Sequence, residues 1–221
     1  MCGRFSLTCS AEQLSATFEL SEIHDFTPRY NIAPTQLIAT VKIDSQSEKR
    51  ELNWMRWGLI PSWSKDTKMA AKLINARVET ITEKPSFRNA IRQRRCLILA
   101  DGFYEWKKQE DRKQPYYFQQ DSHQPFAFAG IWEQWKSPEN EDIISCTILT
   151  TEATGEMCSI HHRQPIIVPK AIYSQWLDPN LTKPQDILPL LTSQPSLSYY
   201  PVKTTVNSPK HDTADCIQPS P

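Results

Sequence analysis

The stretch Cys96-Leu-Ile-Leu-Ala-Asp-Gly-Phe-Tyr-Glu-Trp-Lys107 combines an apolar run, a turn signal and an alternating segment. The apolar residues 96–100 predict a buried strand, because they leave no polar face. Asp-Gly is a turn-prone step. In the extended segment that follows, side chains point alternately to opposite faces, so Glu105 shares a face with Asp101 and Phe103. We therefore expect strand structure on both sides of a turn.

Strand-like stretches recur along the whole chain and outnumber the helical ones. They lie at 2–7, 36–43, 115–120, 125–132, 145–151, 164–168 and 197–202, and most are bounded by Pro, Gly, Asp or Asn. Helical signals occur at 11–19, 85–94, 169–176 and 183–191, the first with capping-box residues Ser10 and Gln13. Because there is no regular βαβ alternation, we predict an α+β fold: a single domain around a largely antiparallel, barrel-like β-sheet with peripheral helices.

Length and composition limit the class of protein. The 221 residues favour one domain, which we place at 1–216. Residues 217–221 contain two prolines, which lack backbone donors, so a frayed tail is expected there. The net charge of zero means that any contact with DNA needs a local basic patch.

The cysteine pattern and the hydropathy indicate the compartment. None of the six cysteines forms a C-x-x-C pair, which argues against a disulfide framework or a zinc site and favours a reducing cytosol. The sequence has no secretory signal and no apolar run of about 20 residues. We expect a cytoplasmic monomer without membrane contact, metal or cofactor.

Cys2 is a candidate nucleophile, since methionine is generally removed before a small second residue. The α-amine and thiol then lie on adjacent carbons and condense with an aldehyde to a five-membered thiazolidine. At neutral pH the free-base fraction of such an amine is roughly two hundredfold that of a lysine. In an extended segment Cys2, Arg4 and Ser6 share one face opposite an apolar face, which indicates an anchored terminus. The alternative is an incidental residue in a frayed terminus.

The segment Asn75-Ala-Arg-Val-Glu-Thr80 also alternates, which places Asn75, Arg77 and Glu79 together. Asparagine can orient an amine or a sugar oxygen, and arginine offers a bidentate fork to phosphate. An amphipathic strand with a solvated ion pair is the alternative.

Glu105 is a candidate general acid or base. A carboxyl that lies against aromatic rings has a raised pKa, and Phe103 shares its face. The alternative is an edge-strand glutamate that pairs with Lys107.

Ile160-His-His-Arg-Gln-Pro165 is a polar segment in which either histidine could shuttle a proton. A plain surface turn is the alternative. A metal site formed by Cys158, His161 and His162 is disfavoured, because the spacing matches no standard zinc pattern.

Two other segments, Arg29-Tyr-Asn-Ile-Ala-Pro34 and Met55-Arg-Trp-Gly-Leu-Ile-Pro-Ser-Trp63, mix arginine with aromatic rings or proline. Aromatic side chains stack on unpaired bases, and Pro or Trp can wedge into a disrupted base step. Both segments could equally supply core and turn residues, and for Trp57 we favour the core.

Six motifs, in order, resemble the SOS-response-associated peptidase (SRAP) family over essentially the whole chain. They are MCGRF at 1–5, RYNIAP at 29–34, RWGLIPSW at 56–63, INARVET at 74–80, ADGFYEW at 100–106 and IHHRQP at 160–165. The resemblance implies an α+β fold with a barrel-like sheet, and recognition of abasic sites in single-stranded DNA. It also implies a thiazolidine crosslink through the terminal cysteine and autoproteolytic removal of Met1.

Matched by position, the family's functional residues fall on residues of this chain. The resemblance makes Cys2 the nucleophile, with Asn75 positioning its amine. Glu105 serves as acid and base for sugar ring opening and proton transfer, and His161 assists Schiff-base chemistry and crosslink reversal. The residues expected to bind DNA are Arg4, Arg77 and Arg163, which hold phosphates, and Asn31, Pro34, Trp63 and Trp106, which shape the channel.

The chain departs from the family pattern at His162 and Gln164. Because His161 keeps its place before Arg163 and Pro165, the catalytic role is assigned to His161. The expected partner is single-stranded DNA with abasic sites, and the protein would join the nucleoid when bound to damaged DNA.

Two other functions remain open at this point. A thiol autopeptidase would use Cys2 as nucleophile, His161 as base and Asn75 as the orienting group. A non-covalent reader of modified bases or single strands would not need Cys2. Weak lyase activity is expected when thiazolidine closure is slow, because an uncyclised imine permits β-elimination.

Overall fold

The computed structural model describes residues 2–21, 23, 26–110, 112–192 and 194–220. The strands are β1 (Arg4–Leu7), β2 (Arg29–Ile32), β3 (Leu37–Ile43), β4 (Arg50–Trp57), β5 (Asn75–Arg77), β6 (Arg95–Ala100), β7 (Gly102–Lys108), β8 (Lys113–Gln120), β9 (Phe126–Lys136), β10 (Asp142–Glu152), β11 (Arg163–Pro165), β12 (Ile167–Val168) and β13 (Leu197–Pro201). The α-helices are α1 (Ala11–Phe18), α2 (Ala90–Gln93), α3 (Tyr173–Leu177) and α4 (Pro184–Ile187). Short 3₁₀ turns lie at Ala70–Lys72, Val78–Thr80, Gly155–Ser159, Lys170–Ile172, Leu188–Leu191, Thr204–Asn207 and Ala214–Ile217.

The strands form two sheets, and one of them closes into a barrel. Strands β10, β4, β3, β6 and β9 pair in that order, and β9 pairs back onto β10. Within this ring only β4 and β10 are parallel. The second sheet is antiparallel, with the order β13-β8-β7-β1-β2. This architecture confirms the predicted α+β fold around a barrel-like sheet.

The stretch 96–107 moves the chain from one sheet to the other. Strand β6 is buried along its whole length in the barrel, whereas β7 belongs to the second sheet. Gly102 begins β7, and a Cβ atom placed there would lie 2.1 Å from the ring of Tyr117. Only glycine therefore fits at the change of sheet.

The two sheets are joined by aromatic contacts. The ring of Phe5 lies 5.1 Å from Trp57 and 5.8 Å from Phe128, and Phe103 also lies 5.8 Å from Phe128. All four side chains are fully buried. The burial of each one contributes about 1.5–3 kcal/mol to the stability of the fold. The core position favoured for Trp57 is confirmed.

The carboxylate of Asp101 anchors the N-terminal strand at the same turn. It accepts hydrogen bonds from the hydroxyls of Ser6 and Thr8, each at 2.6 Å. It also accepts from the backbone N–H groups of Thr8 and Cys9. The predicted anchored terminus is confirmed, since Cys2, Phe5 and the intervening strand are held against the core.

The helices are shorter than the sequence predicts. The capping box of Ser10 and Gln13 is present at α1. The helix expected at 85–94 is confined to α2, because the chain from Lys84 to Asn89 forms turns. The helix expected at 183–191 becomes 3₁₀ after Ile187, where Pro189 cannot donate a backbone hydrogen bond. None of the helices in the described residues is long and apolar enough to cross a membrane.

Two further expectations are corrected. The alternating strand expected at 75–80 ends at Arg77 and continues as a 3₁₀ turn. The tail expected to fray from 217 onward is held in place, since Pro219 pairs with Val202 and the Ser220 N–H donates to Pro201 O at 2.8 Å. Pro221 lies outside the described residues.

Replacing Asp101 by Ala should lower the free energy of unfolding by about 2 kcal/mol or more, because several donors lose a charged acceptor. Urea unfolding monitored by tryptophan fluorescence measures this loss. The control is Asp121→Ala in the exposed β8–β9 turn, which should leave the midpoint unchanged. Equal midpoints for the two variants would refute the anchoring role of Asp101.

Candidate functional site

Four residues predicted to be catalytic lie together where the two sheets meet. Asn75 donates from Nδ2 to the carbonyl oxygen of Cys2 at 2.8 Å. The Glu105 carboxylate is near enough to Cys2 to act on the thiol electrostatically. Glu105 and His161 line one cleft of about 380 Å³. Residues far apart in sequence thus share one local site.

Cys2 is fully buried in this structure. Its Sγ lies 3.7 Å from the carbonyl oxygen of Arg4. Burial, and next the negative charge of Glu105, raise the pKa of the Cys2 thiol well above its ordinary value. The thiol is therefore protonated at neutral pH in this environment.

Asn75 holds Cys2 from strand β5, which runs parallel to β10 with Asn75 opposite Ile148. Its Nδ2 is committed to the Cys2 carbonyl. Its Oδ1 is buried and has no hydrogen-bond partner among the described residues. Asn75 thus offers one acceptor beside the backbone of Cys2.

Glu105 is 2% exposed on the face of β7 that it shares with Phe103. Burial raises the pKa of this carboxyl to about 7, while the backbone N–H of Trp106 acts in the opposite direction. This shift has the direction that the sequence predicts. Near neutral pH the group can therefore either donate or accept a proton.

His161 and His162 stack with ring centroids 4.4 Å apart. Burial lowers the pKa of His161, and Nδ1 accepts a hydrogen bond from the Arg163 backbone N–H at 3.0 Å. His162 is exposed, and the charge of His161 lowers its pKa. Of the two rings, His161 is the one that lines the cleft.

The Arg163 side chain is buried and binds protein groups, whereas the resemblance predicted a contact with phosphate. Its side chain is 7% exposed, and its guanidinium binds both carboxylate oxygens of Glu79 at 2.8 and 2.9 Å. It also donates to Thr150 O at 2.8 Å. Both terminal nitrogens of the guanidinium are therefore occupied by protein partners, whereas its buried Nε has no hydrogen-bond partner among the described residues.

Asn31 is likewise an internal residue. Its side chain is buried, and its Nδ2 donates to the backbone carbonyl oxygens of Val206, Ser208 and His211. A side-chain amide is needed at this position because it donates to these three carbonyl oxygens. Asn31 therefore holds the C-terminal segment in place.

Arg4 is half-buried and connects β1 to the same segment. It donates to Asn31 Oδ1 at 2.8 Å, to Val206 O at 2.6 Å and to Asn207 O at 3.0 Å. Trp106 donates from Nε1 to Asn207 Oδ1 at 2.8 Å. Arg4 therefore fixes one wall of the cleft.

The cleft contains two residues that the sequence analysis did not select. Lys113 and Asn207 line it together with Glu105, Trp106 and His161. Lys113 is exposed and directly opposite Lys108 in the β7–β8 hairpin. The charge of Lys113 in a hairpin was the one sequence signal that could have marked it as a cleft residue. The position of Asn207 in the cleft follows only from the fold.

The other three predicted DNA-binding residues lie outside this lining. Arg77 and Trp63 are exposed, Trp63 by 57%, and Pro34 is half-buried. None of them is among the described residues that line the cleft.

One group of the described residues has donor atoms close enough for a metal ion. The donor atoms of His211, Asp215 and Cys216 lie within 4.8 Å of one another. His211 Nε2 already lies 2.9 Å from the Asp215 carboxylate, and the Cys216 thiol donates to His211 O at 3.4 Å. These contacts make the group a hydrogen-bonded brace of the C-terminal segment.

Fold and site define an α+β protein with a closed mixed barrel and a cysteine, asparagine, glutamate and histidine site at its N-terminus. The family model "SOS response associated peptidase (SRAP)" matches residues 1–209, and the chain belongs to this family.

Curated relatives support this membership. The abasic site processing protein YoqW of Bacillus subtilis is 39% identical over 224 residues, with 99% of both chains covered. The abasic site processing protein HMCES of Gallus gallus is 34% identical, with 88% of this chain and 67% of that protein covered. A crystal structure of a protein from Bacteroides thetaiotaomicron has a TM-score of 0.87 at 25% identity, covering 99% of this chain and 100% of that chain.

The raised pKa of Glu105 predicts a pH-dependent cost to stability. The folded state holds its proton up to about pH 7, whereas the unfolded chain releases it near 4.5. Between these values the folded state binds more protons, so stability falls as pH rises, by about 3 kcal/mol at most. Glu105→Gln removes this pH-dependent cost. The free energy of unfolding of the variant should therefore rise relative to that of the wild type between pH 5 and pH 8.

Urea unfolding at a series of pH values measures the difference between the two proteins. Glu110→Gln, at the exposed hairpin tip, is the control and should follow the wild type at every pH. A constant difference between Glu105→Gln and wild type would show that the carboxyl titrates normally.

Proposed function

We propose that the protein captures the aldehyde of abasic sites in single-stranded DNA, through the α-amine and thiol of Cys2 after removal of Met1. The observation that carries the proposal is that Cys2 is bound by Asn75 and lies near Glu105, which lines one cleft together with His161. The names of the relatives, abasic site processing proteins, support the substrate class.

The proposed reaction has three steps. Opening of the sugar breaks the bond between C1′ and O4′, so that C1′ becomes an aldehyde and O4′ takes a proton. The α-amine then adds to C1′, and loss of water leaves an imine. Addition of the Cys2 sulfur to the imine carbon closes the thiazolidine, and the thiol proton ends on nitrogen.

Processing of the N-terminus is required for this chemistry. While Met1 is attached, the Cys2 nitrogen is an amide and has no basic lone pair. The released α-amine titrates near about 7.7–8.0, so a substantial fraction is free base at neutral pH. Whether removal is autoproteolytic, as the family name suggests, is tested by the fate of Met1 in a Cys2→Ala variant.

Asn75 is the residue that positions the new amine. Its Nδ2 holds the Cys2 carbonyl, and its unpartnered Oδ1 can accept a hydrogen bond from the amine. This second hydrogen bond orients the lone pair of the nitrogen toward the aldehyde carbon.

Glu105 carries the acid and base steps. A carboxyl with a pKa of about 7 can give a proton to O4′ and take one from the attacking amine. His161, at the same cleft and with a lowered pKa, is neutral at pH 7 and assists imine formation and crosslink reversal.

DNA is held by residues of the cleft and of the surface beyond it. We propose Arg77 and Lys113 as phosphate contacts, Trp106 as a stacking surface in the cleft, and Trp63 and Pro34 as contacts farther along the strand. Arg4 acts by holding the wall that carries Asn207. With a net charge of zero, binding of undamaged DNA is weak, and the covalent bond supplies persistence.

Closure of the thiazolidine protects the strand, because an open imine permits β-elimination of the 3′ phosphate. Weak lyase activity follows when closure is slow. We further propose that the protein is a cytoplasmic monomer that joins the nucleoid at damaged DNA.

Two rival functions make different demands on Cys2. A cysteine peptidase needs the thiol and cuts peptides, with no use for a free α-amine. A non-covalent reader of DNA needs neither group. The cleft favours aldehyde capture, because a carboxyl poised to titrate near pH 7 suits sugar ring opening and imine formation.

Intact-mass analysis with a single-stranded oligonucleotide that carries one abasic site should show one covalent adduct per processed protein. The adduct should survive heating. Cys2→Ala protein from which Met1 has been removed keeps the amine but cannot close the ring, so it should form an unstable imine and shift products toward strand cleavage. Undamaged oligonucleotide is the control. No adduct from protein with Met1 fully removed would refute aldehyde capture.

Lys113→Ala should weaken binding to undamaged single-stranded DNA and reduce the magnitude of the salt slope by about 0.7, as expected for one lost phosphate contact. Fluorescence anisotropy at several salt concentrations measures the slope. The matched control is Lys170→Ala, an exposed lysine that does not line the cleft. Identical slopes for the wild type and both variants would rule out a phosphate contact at Lys113.

A further inference from the structure

Glu79, Arg163 and His161 form a chain of contacts that ends at the cleft. The Glu79 carboxylate grips the Arg163 guanidinium through two hydrogen bonds of 2.8 and 2.9 Å. The backbone N–H of Arg163 donates to His161 Nδ1 at 3.0 Å. We infer that Glu79 is a positioning residue for His161 and acts through Arg163, an inference that rests on the proposed function.

The positioning role of Glu79 depends first on the burial of Arg163. A guanidinium that is 7% exposed is unfavourable without a counter-charge, and Glu79 supplies it. A further bond from Arg163 Nη2 to Thr150 O, at 2.8 Å, leaves the side chain one orientation. Because the side chain is held at two points, the backbone of Arg163 is held beside the ring of His161.

Glu79 is itself fixed from a second side. Its Oε1 accepts a hydrogen bond from Thr151 Oγ1 at 3.3 Å, and the Arg163 guanidinium lowers its pKa. The carboxylate is therefore charged and oriented at neutral pH. Glu79 lies in the 3₁₀ turn at Val78–Thr80, where the sequence predicted a strand.

The consequence for His161 is a choice of tautomer. A backbone N–H always carries its hydrogen, so its bond to Nδ1 needs the lone pair of that nitrogen. The neutral ring then carries its proton on Nε2. Nδ1 also lies 3.0 Å from Arg163 O, a contact that favours the other tautomer if the backbone shifts. The grip of Glu79 on Arg163 therefore decides which nitrogen of His161 holds the proton.

This role differs measurably from the phosphate contact that the resemblance assigned to Arg163. A phosphate contact acts on DNA affinity and on the salt slope. A positioning role acts on the rate of the chemical step at saturating DNA. The two roles can thus be separated by measuring the maximal rate of adduct formation and the half-saturating DNA concentration in one experiment.

Glu79→Gln keeps the shape of the side chain but loses its charge. With processed protein and the abasic oligonucleotide, the maximal rate of adduct formation should fall about tenfold, as for other lost orienting partners. The half-saturating concentration should stay within about twofold. Glu152→Gln is the matched control: Glu152 is exposed and directly opposite Arg163 in the β10–β11 pair, and its replacement should leave both values unchanged.

A double-mutant cycle with His161→Gln tests whether Glu79 acts through the ring. If it does, Glu79→Gln has no further effect on the rate once His161 is replaced. Additive losses would mean a general structural role and would overturn the inference. An altered half-saturating concentration with an unchanged maximal rate would also overturn it, in favour of a phosphate contact.

Nitrogen-15 NMR of the His161 ring gives a readout that needs no DNA. The wild type should show the tautomer with the proton on Nε2, and Glu79→Gln a mixture of both tautomers. An unchanged tautomer in a folded Glu79→Gln protein would overturn the inference even if the rate falls. If the wild type forms no adduct, the proposed function fails, and the NMR result still decides the role of Glu79.

Discussion

The burial of the N-terminal strand is the constraint on which the other features depend. Strand β1 lies between β2 and β7, so its backbone is hydrogen-bonded on both edges. Phe5 packs against the barrel, and Asp101 ties the end of the strand to the turn between the sheets. A terminus normally frays, but this one is part of the core. Cys2 is consequently held at one position, which a nucleophile in a preorganised site requires.

The two ends of the chain stabilise each other around the cleft. Arg4 and Asn31 bind backbone carbonyls of the segment near Val206, and Trp106 binds the side chain of Asn207. These bonds are made by side chains that look, in sequence, like candidates for DNA. Arg4 and Asn31 thus stabilise the shape of the cleft, because a wall built from backbone carbonyls would separate from the sheet without donors to hold it.

The strands were predictable to a large extent, and so were the anchored position of Cys2 and the direction in which the pKa of Glu105 is shifted. Alternation and apolar runs report burial directly, and burial among aromatic rings raises the pKa of a carboxyl. The roles of Asn31 and Arg163 were not predictable, because a polar residue in a motif looks the same whether it faces DNA or protein. Lys113 was missed for the complementary reason: a lysine in a charged hairpin is unremarkable until the cleft beside it is known.

The sequence by itself determined the family, the α+β class and the candidate residues, because these follow from residue type, local periodicity and motif order. The tertiary structure decided which candidates meet. It brought Asn75 to the carbonyl of Cys2 and placed Glu105 and His161 on one cleft. It also turned Arg163 inward to Glu79. The physical reason is that these contacts join residues more than 50 positions apart in the sequence. Their proximity depends on sheet pairing and burial, which no local pattern specifies.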